Sequence, residues 1–278
     1  MAEARERTIQ AHDGFRLEAS EWEIPDAPTV VLVAPATAVR RRLYAAFADA
    51  LAARGLAVLT WDWRGTGGSR PQSLRGFAAT MRQWAELDLA AAIAWARRRH
   101  PKARIAVLGH SFGGQALGLV PDPRAFDRAV TVAAQSGYFG HWPRPRRYVY
   151  ALLWTVVVPL LCSLCGYFPA SRLGLGEDLP AGVARQWARW CRRREYLGDY
   201  SGHERMRAPL LAFGFSDDPY APPRAVAALH RHYPVVTRRS VTPREAGVRR
   251  LGHFGFFRLG SGHSLWREAA DWLSDGRS

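Results

Sequence analysis

The hexapeptide GHSFGG at residues 109–114 restricts the folds open to this chain more than any other feature, because of what surrounds it. The apolar run RIAVL directly before it is typical of a buried strand, and FGGQALGLV, which begins at Phe112, is typical of a helix. Glycines two residues on either side of Ser111 permit a sharp, strained turn. We therefore expect a strand–turn–helix unit that presents the Ser111 hydroxyl at the N-terminus of the helix.

Strands and helices alternate along most of the chain. Residues 7–34 predict a β-meander with a turn at Asp13-Gly14, and its last strand, TVVLVA, is apolar throughout. Such alternation predicts an α/β fold, a mostly parallel eight-stranded sheet flanked by helices, with ligands at the carboxyl ends of the strands. Further strands are predicted at 56–63, 104–110, 128–134 and 209–215, and helices at 43–54, 81–99, 112–120, 222–232 and 263–273.

Residues 135–207 interrupt this alternation. The segment is rich in Trp, Tyr, Arg and Pro and contains no predicted strand of the sheet. We predict that residues 1–134 and 208–278 form the core and that 135–207 form a helical lid above the sheet. Aromatic residues of the segment are expected to line a cleft; we assign substrate binding to Tyr138 and Trp142, with Trp154, Tyr167, Phe168, Trp187 and Trp190 as further wall residues.

An uncharged stretch from Tyr148 to Phe168 approaches the ~20 apolar residues that span a bilayer, which makes a transmembrane helix an alternative. A single span would place Ser111 and the C-terminal part of the chain on opposite sides of the membrane. Pro159 is also expected to divide the stretch into two short helices. We therefore predict no transmembrane span, and interpret the segment as a lid over an acyl-binding cleft that is also able to touch a membrane surface.

A serine hydroxyl becomes a good nucleophile only beside a base, and the base needs an acid that fixes its tautomer. The sequence SDDPYAPP follows the strand at 209–215, and RRLGHFGFF follows the last predicted strand. Both therefore fall at the edge of the sheet where Ser111 is expected. We predict Ser111 as nucleophile, Asp218 as acid and His253 as base.

Two of these assignments leave alternatives open. Asp217 lies three residues after Gly214, whereas Asp218 precedes Pro219. If Asp218 is the acid, its neighbour would brace the loop. His263 is the second candidate for the base, although its place before a helix also suits a capping role. His110, next to the serine, is expected to pack beneath the turn.

The oxyanion formed by attack needs backbone N–H donors. The N–H of Phe112 is the first candidate, since it directly follows the nucleophile. The second donor is expected from the loop PATAVRRR after the third strand, from either Ala36 or Thr37. The arginines at 40–42 in that loop would suit an anionic substrate, but a solvated run of charge explains them equally well.

Together GHSFGG, the DDPYAPP loop, the GHFGFF loop and WDWRGTGGS at 61–69 resemble the α/β-hydrolase superfamily from about residue 9 to 273. The chain is most similar to bacterial hydrolases of the serine aminopeptidase-like and lysophospholipase-like type. The resemblance implies a Ser-Asp-His hydrolase and a structural role for WDWRGTGGS. Many relatives have His-Gly after the third strand, where this chain has Pro-Ala.

The resemblance and the motifs predict cleavage of an ester, thioester or monoacyl lipid through an acyl-enzyme on Ser111, with a small apolar acyl compound as substrate. An acyltransferase with the same triad and a non-catalytic binding protein are the alternatives. This chemistry requires no cofactor and no metal, and the sequence shows no metal-ligand cluster.

The formal net charge of +15 suits a nucleic-acid binder, but no nucleic-acid-binding motif accompanies it, so we predict none. Three cysteines without a disulfide framework indicate a reducing compartment; Cys162 and Cys165 are expected to be buried thiols. The N-terminal residues show no apolar signal segment, and we predict a cytoplasmic protein.

Overall fold

The computed structural model describes residues 3–260 and 262–274, and its central element is an eight-stranded sheet in the order β1-β2-β4-β3-β5-β6-β9-β10. Residues 1–2, 261 and 275–278 of the predicted core lie outside the described residues. The strands are β1 Ala4–Gln10, β2 Arg16–Trp22, β3 Thr29–Ala34, β4 Ala57–Trp61, β5 Arg104–His110, β6 Arg128–Val132, β7 Tyr167–Phe168, β8 Leu179–Pro180, β9 Leu210–Phe215 and β10 Val236–Val241.

Strand β2 pairs antiparallel with β1 and β4, and every other pairing in this sheet is parallel. The mostly parallel sheet is therefore confirmed. The predicted β-meander is wrong in its third strand, because β3 pairs with β4 and β5 rather than with β2. Every residue of β3 is buried, as expected for an interior strand of a parallel sheet covered on both faces.

Helices cover both faces of the sheet. A six-residue π-helix, Trp84–Leu89, joins α2 to α3, and a short 3₁₀ turn at Ala116–Gly118 follows α4. The α-helices are α1 Ala45–Ala52, α2 Met81–Gln83, α3 Ala90–Arg99, α4 Phe112–Gln115, α5 Arg146–Leu152, α6 Val158–Cys165, α7 Ala181–Cys191, α8 Ser201–Arg205, α9 Pro223–His230 and α10 Ser264–Ser274.

The segment between β6 and β9 contains α5 to α8 and a separate two-stranded sheet formed by β7 and β8. It contributes no strand to the eight-stranded sheet, as its sequence predicts. Strands β6 and β9 are hydrogen-bonded neighbours. The insertion therefore leaves the core and returns to it at adjacent positions.

Residues Arg146–Cys165 form one continuous helix, so the prediction that Pro159 divides this stretch is wrong. Helix α5 passes into α6 through a π-helical turn at Leu153–Val157, and Pro159 lies in the first turn of α6. In the widened turn the backbone N–H at this position would be without its usual hydrogen-bond partner. A proline has no N–H, so it fits there without breaking the helix. By length and composition alone this helix could cross a membrane, and only 17% of its most apolar window is buried inside the protein.

Two buried histidines make stability depend on pH. His203 Nε2 donates to the Gln115 carbonyl at 3.0 Å, and His230 hydrogen-bonds Thr131 Oγ1 at 2.8 Å. Burial lowers the pKa of each to about 4, below the ordinary 6.5. The unfolded chain therefore takes up these protons first, so this stability is complete above about pH 6.5 and is lost as the pH falls towards 4.

We expect His230→Gln to flatten the pH dependence of the free energy of unfolding by about 1.4 kcal/mol per pH unit between pH 6 and 4.5, the slope of one proton. Glutamine retains a polar group that can face Thr131, and it does not titrate. Urea unfolding of both proteins across this range measures the two slopes. Equal slopes would show that His230 is not neutral in the folded protein.

Candidate active site

Ser111 lies in a strained turn between β5 and α4. Its backbone has φ +51° and ψ −113°, a region that residues other than glycine rarely occupy. A Cβ on Gly113 would overlap the carbonyl oxygen of Ala34, and one on Gly109 would overlap the backbone at 113–114. The glycine spacing of GHSFGG therefore follows from close backbone packing around the serine.

His253 and Asp218 form a buried pair, with 2.7 Å between Nδ1 of the imidazole and Oδ2 of the carboxylate. A carboxylate can only accept, so Nδ1 carries the proton and Nε2 is left free to act as a base. The other carboxylate oxygen of Asp218 accepts the N–H groups of Tyr220 at 2.7 Å and Ala221 at 3.0 Å. These bonds fix the carboxylate in the orientation that the imidazole needs.

Asp217 has a different set of partners. Its two carboxylate oxygens accept the backbone N–H groups of Leu251 and Gly252, each at 3.0 Å. Asp217 therefore holds the loop that carries His253, while Asp218 contacts the ring itself. This is the division between the two aspartates that the sequence analysis expects if Asp218 is the acid.

His110 connects three loops beneath the site. Ala36 N–H donates to Tyr44 Oη, which lies 2.9 Å from His110 Nδ1, and His110 Nε2 lies 2.9 Å from the His253 carbonyl. The carbonyl must accept, so Nε2 carries the proton and Nδ1 accepts from the tyrosine. Burial holds the pKa of His110 well below its usual value, so the ring stays neutral. Both ring nitrogens are engaged, which leaves none to serve as the base.

The second oxyanion donor cannot be Ala36. Its N–H is already bound to Tyr44 Oη at 2.9 Å, which corrects its inclusion among the candidates. Thr37 N–H has no hydrogen bond to the described part of the chain. Phe112 begins α4, where a backbone N–H has no intrahelical partner. The geometry thus leaves Phe112 and Thr37 as the available pair.

A cavity of about 310 Å³ contains both Ser111 and His253 in its wall. No Asp, Glu, Lys or Arg is among the described residues that line it. The Ser111 hydroxyl makes no hydrogen bond within the described residues; in empty sites the bond to the base is commonly long. Most of the apolar lining residues come from the insertion, among them Tyr150, Leu153, Trp154, Phe168, Leu175, Leu179 and Trp187.

The structure separates the predicted wall residues. Trp142 lines the cavity and donates its indole N–H to the Pro219 carbonyl at 2.8 Å. Tyr138, predicted to bind substrate, is not among the lining residues, because its ring packs on Phe139 and His141 instead. Tyr167 and Trp190 likewise lie outside the lining, whereas Trp154, Phe168 and Trp187 belong to it.

Tyr220 and Phe254 are lining residues that the sequence analysis missed. Each follows a predicted catalytic residue closely, Tyr220 two positions after Asp218 and Phe254 one position after His253. Their positions close to the predicted acid and base were therefore the signal from which these two lining residues could have been predicted.

The family model for serine aminopeptidase S33 matches residues 25–160, just under half of the chain. A search of curated proteins found no match. The fold matches solved structures over nearly the whole length. The esterase domain of a Rhodothermus marinus protein is 19% identical, with 98% of this chain and 99% of that chain covered and a TM-score of 0.57.

The Pyrococcus furiosus esterase Pf2001 is 15% identical, with 98% of this chain and 92% of that chain covered and a TM-score of 0.60. DcsB in complex with a substrate analogue is 16% identical, with 98% of each chain covered and a TM-score of 0.69. The chain is thus similar to α/β-hydrolases: part of it matches the family model, and its fold is that of the solved esterases. The partial match is to a serine aminopeptidase family, and two of these structures are esterases.

In this chain the turn WDWRGTGGS is held by ion pairs with buried aspartates. Asp62 accepts Arg41 N–H at 2.8 Å and Gly68 N–H at 2.9 Å, and it pairs with the Arg41 guanidinium. Arg64 pairs with the buried Asp88 at 2.7 Å. The motif braces the loops at this edge of the sheet, which is the structural role that the resemblance implies.

Two other groups of residues take structural positions. Arg40 pairs with Glu177 at 2.7 Å, and Arg41 pairs with Asp62. Neither arginine lines the cavity. His263 Nδ1 accepts Leu265 N–H at 3.1 Å, a capping contact at the start of α10. Within the described residues no cluster of three or more potential metal ligands occurs.

Proposed function

We propose that this protein cleaves a carboxylic ester-type bond of an apolar acyl compound through an acyl-enzyme on Ser111. The observation that carries the proposal is the cavity described above, which combines the serine and the free imidazole nitrogen with walls that are uncharged in the described residues. An acyl chain can fill such a cavity without leaving a charge unpaired.

In the proposed first step, His253 Nε2 takes the proton of the Ser111 hydroxyl while the serine oxygen attacks the ester carbonyl. The Thr37 and Phe112 N–H groups donate to the resulting oxyanion, and Asp218 stabilises the imidazolium. The imidazolium then protonates the leaving alcohol or thiol, and the acyl-enzyme remains on Ser111.

In the second step the neutral His253 takes a proton from water, and the hydroxide attacks the acyl carbonyl. The same two N–H groups hold the second oxyanion, and the imidazolium returns its proton to Ser111 as the acid leaves. No step requires a group that the chain does not supply.

The lining of the cavity favours an ester over the N-terminus of a peptide. Recognition of a free α-ammonium group requires a carboxylate near the scissile bond. No Asp or Glu is among the described lining residues, and Asp218 and Asp217 are occupied by the bonds given above. An aminopeptidase activity therefore lacks its recognition group here.

The Thr37 side chain supplies a further prediction. Its Oγ1 is buried without a hydrogen-bond partner in the described structure, and the residue lines the cavity. A hydroxyl in that position is a third donor for the oxyanion. We expect Thr37→Val, which keeps the backbone N–H and the shape, to lower kcat by about 10²-fold with KM little changed.

Thr37→Ser is the matched control, since it retains the hydroxyl and should keep most of the activity. Steady-state kinetics on one p-nitrophenyl ester compares the three proteins. If valine and serine at this position give the same kcat, the hydroxyl plays no part in the reaction.

A chain-length series of p-nitrophenyl esters tests the substrate class. We expect kcat/KM to rise by about fourfold for each added CH₂ until the cavity is filled, since burial of one CH₂ contributes about 0.8 kcal/mol. Leu153→Gln should flatten this rise, because Leu153 lines the cavity. Leu152→Gln is the matched control, since Leu152 is 56% exposed and does not line it.

Release of the free acid is measured in the same assays, with and without added alcohols, so that hydrolysis is separated from acyl transfer. If kcat/KM of the wild-type protein does not depend on chain length, the proposal that the cavity binds the acyl chain is wrong.

A further inference from the structure

The helix Arg146–Cys165 has two different faces. Its inner face is packed, since Trp154 and Val158 are buried and Trp154 lines the cavity. Its outer face is apolar and open to solvent: Leu160 is 52% and Leu164 67% exposed. The exposed residues recur mostly at four-residue intervals along one side of the helix. We call this set the outer face: Tyr148, Val149, Leu152, Val156, Leu160 and Leu164.

The segment of the chain that carries the outer face is cationic up to Gly176. Residues 135–176 contain no Asp and no Glu, but include Arg144, Arg146, Arg147 and Arg172. Arg144 and Arg146 are exposed, and none of the four forms an ion pair with a carboxylate of the described chain. Arg40, by contrast, forms an ion pair with Glu177.

We propose that the outer face docks onto the surface of an anionic phospholipid bilayer. A helix lying flat in the interface buries its apolar side at the boundary between headgroups and acyl chains, while neighbouring arginines contact the phosphates. Each basic residue near such a surface contributes about fivefold in binding. An anionic leaflet facing the cytoplasm matches the location that the sequence predicts.

The helix cannot cross the bilayer in this arrangement. Its inner face is packed against the protein, and β6 and β9, on either side of the insertion, are paired neighbours in one sheet. A spanning helix would need to leave both contacts. The helix therefore lies along the membrane surface.

Charge also favours a lipid surface over a second copy of the chain. Two copies joined through the outer face would bring their arginines together, and residues 135–176 offer no acidic side chain to separate them. Phosphates supply the missing negative charge.

The cavity reaches the surface beside apolar side chains. Leu175 and Tyr220 line the cavity and are also exposed, at 43% and 42%. Docking of the helix, whose inner residues Tyr150 and Leu153 line the same cavity, would bring the bilayer close to the cavity. The docking itself does not depend on which bond the site cleaves.

Co-sedimentation with vesicles tests the proposal on the full-length protein. The wild type is expected to bind phosphatidylcholine vesicles that contain 30 mol% phosphatidylglycerol, and to bind pure phosphatidylcholine vesicles at least tenfold less. Leu160→Glu should weaken binding by about tenfold or more. Val235→Glu is its matched control, because Val235 is 46% exposed outside the insertion.

The arginines are tested with the triple substitution of Arg144, Arg146 and Arg172 by glutamine, which we expect to weaken binding by about 100-fold. The control replaces the exposed Arg98, Arg205 and Arg249 by glutamine. It removes the same charge elsewhere on the protein and should weaken vesicle binding much less. Turnover of a short, soluble ester should be unchanged in all variants, so loss of docking is distinguished from loss of catalysis.

Three results would overturn the proposal. The first is equal binding of the wild type and Leu160→Glu to the anionic vesicles. The second is an equal loss in the two arginine triples, which would show attraction by net charge alone. The third is a wild-type dimer in light scattering that Leu160→Glu converts to a monomer, since a second copy would then cover the outer face.

Discussion

Replacement of Ser111 by alanine is expected to lower kcat for a short p-nitrophenyl ester by about 10⁶-fold. The substitution removes the attacking oxygen but leaves the oxyanion donors, which alone retain some rate above that in water. The Ser111 hydroxyl makes no hydrogen bond within the described structure, so the fold should be little affected. Circular dichroism and thermal unfolding verify this.

Ser136→Ala is the matched control, because Ser136 is a second buried serine near the site but does not line the cavity. It should keep most of the activity and still be labelled by a fluorophosphonate probe. Ser111→Ala should not be labelled. Equal rates for wild type and Ser111→Ala would reject the serine mechanism. Failure of the probe to label Ser111 in the wild type would favour a binding protein, and labelling without release of the free acid would favour an acyltransferase.

Asp218→Asn is expected to lower kcat by about 10⁴-fold. The asparagine can still accept the Tyr220 and Ala221 N–H groups, but it can turn its NH₂ group towards His253 Nδ1. The imidazole would then accept at Nδ1 and carry its proton on Nε2, the nitrogen that has to act as the base. The loss should appear in kcat more than in KM.

Asp217→Asn is the control that the sequence itself provides. Its side chain accepts two backbone N–H groups from the loop before His253, so we expect lower stability but activity within about tenfold of the wild type. If Asp217→Asn instead abolishes turnover while Asp218→Asn retains it, the role of the acid belongs to Asp217.

The sequence predicted the parallel core well, because its strands are short apolar runs bounded by turn residues. Strand β5 begins and ends as predicted, at Arg104 and His110. The error at β3 is one of pairing, since an apolar run indicates burial but does not say which strands lie beside it. Strand β10 was not delimited, because it is an edge strand in which only Val241 is buried and Thr237, Arg238 and Ser240 are exposed.

Helix α4 shows how close packing overrides a helical pattern. The prediction extended it over 112–120, whereas the α-helix ends at Gln115 and a 3₁₀ turn follows. Glycines at 113, 114 and 118 permit contacts with the neighbouring backbone and with the His203 ring, but glycine disfavours a long helix. Such contacts between distant parts of the chain cannot be inferred from local spacing.

The site shows the same limit. The sequence could single out Ser111, Asp218 and His253 as candidates because each follows a strand at the carboxyl edge of the sheet. It could not choose between Ala36 and Thr37, since the choice depends on a hydrogen bond to Tyr44. It also placed Tyr138 in the cavity, because aromatic composition does not reveal which way a side chain points.

The chain of hydrogen bonds through Tyr44 and His110 gives the catalytic parts a common frame. It ties the backbone that precedes Thr37, the proposed oxyanion donor, to the strand end before Ser111 and to the carbonyl of His253. A shift in any one of these loops therefore strains the other two. The proposed nucleophile, base and oxyanion donor are therefore expected to keep their relative spacing as one unit, and the flexibility that substrate entry requires is expected in the inserted segment above them.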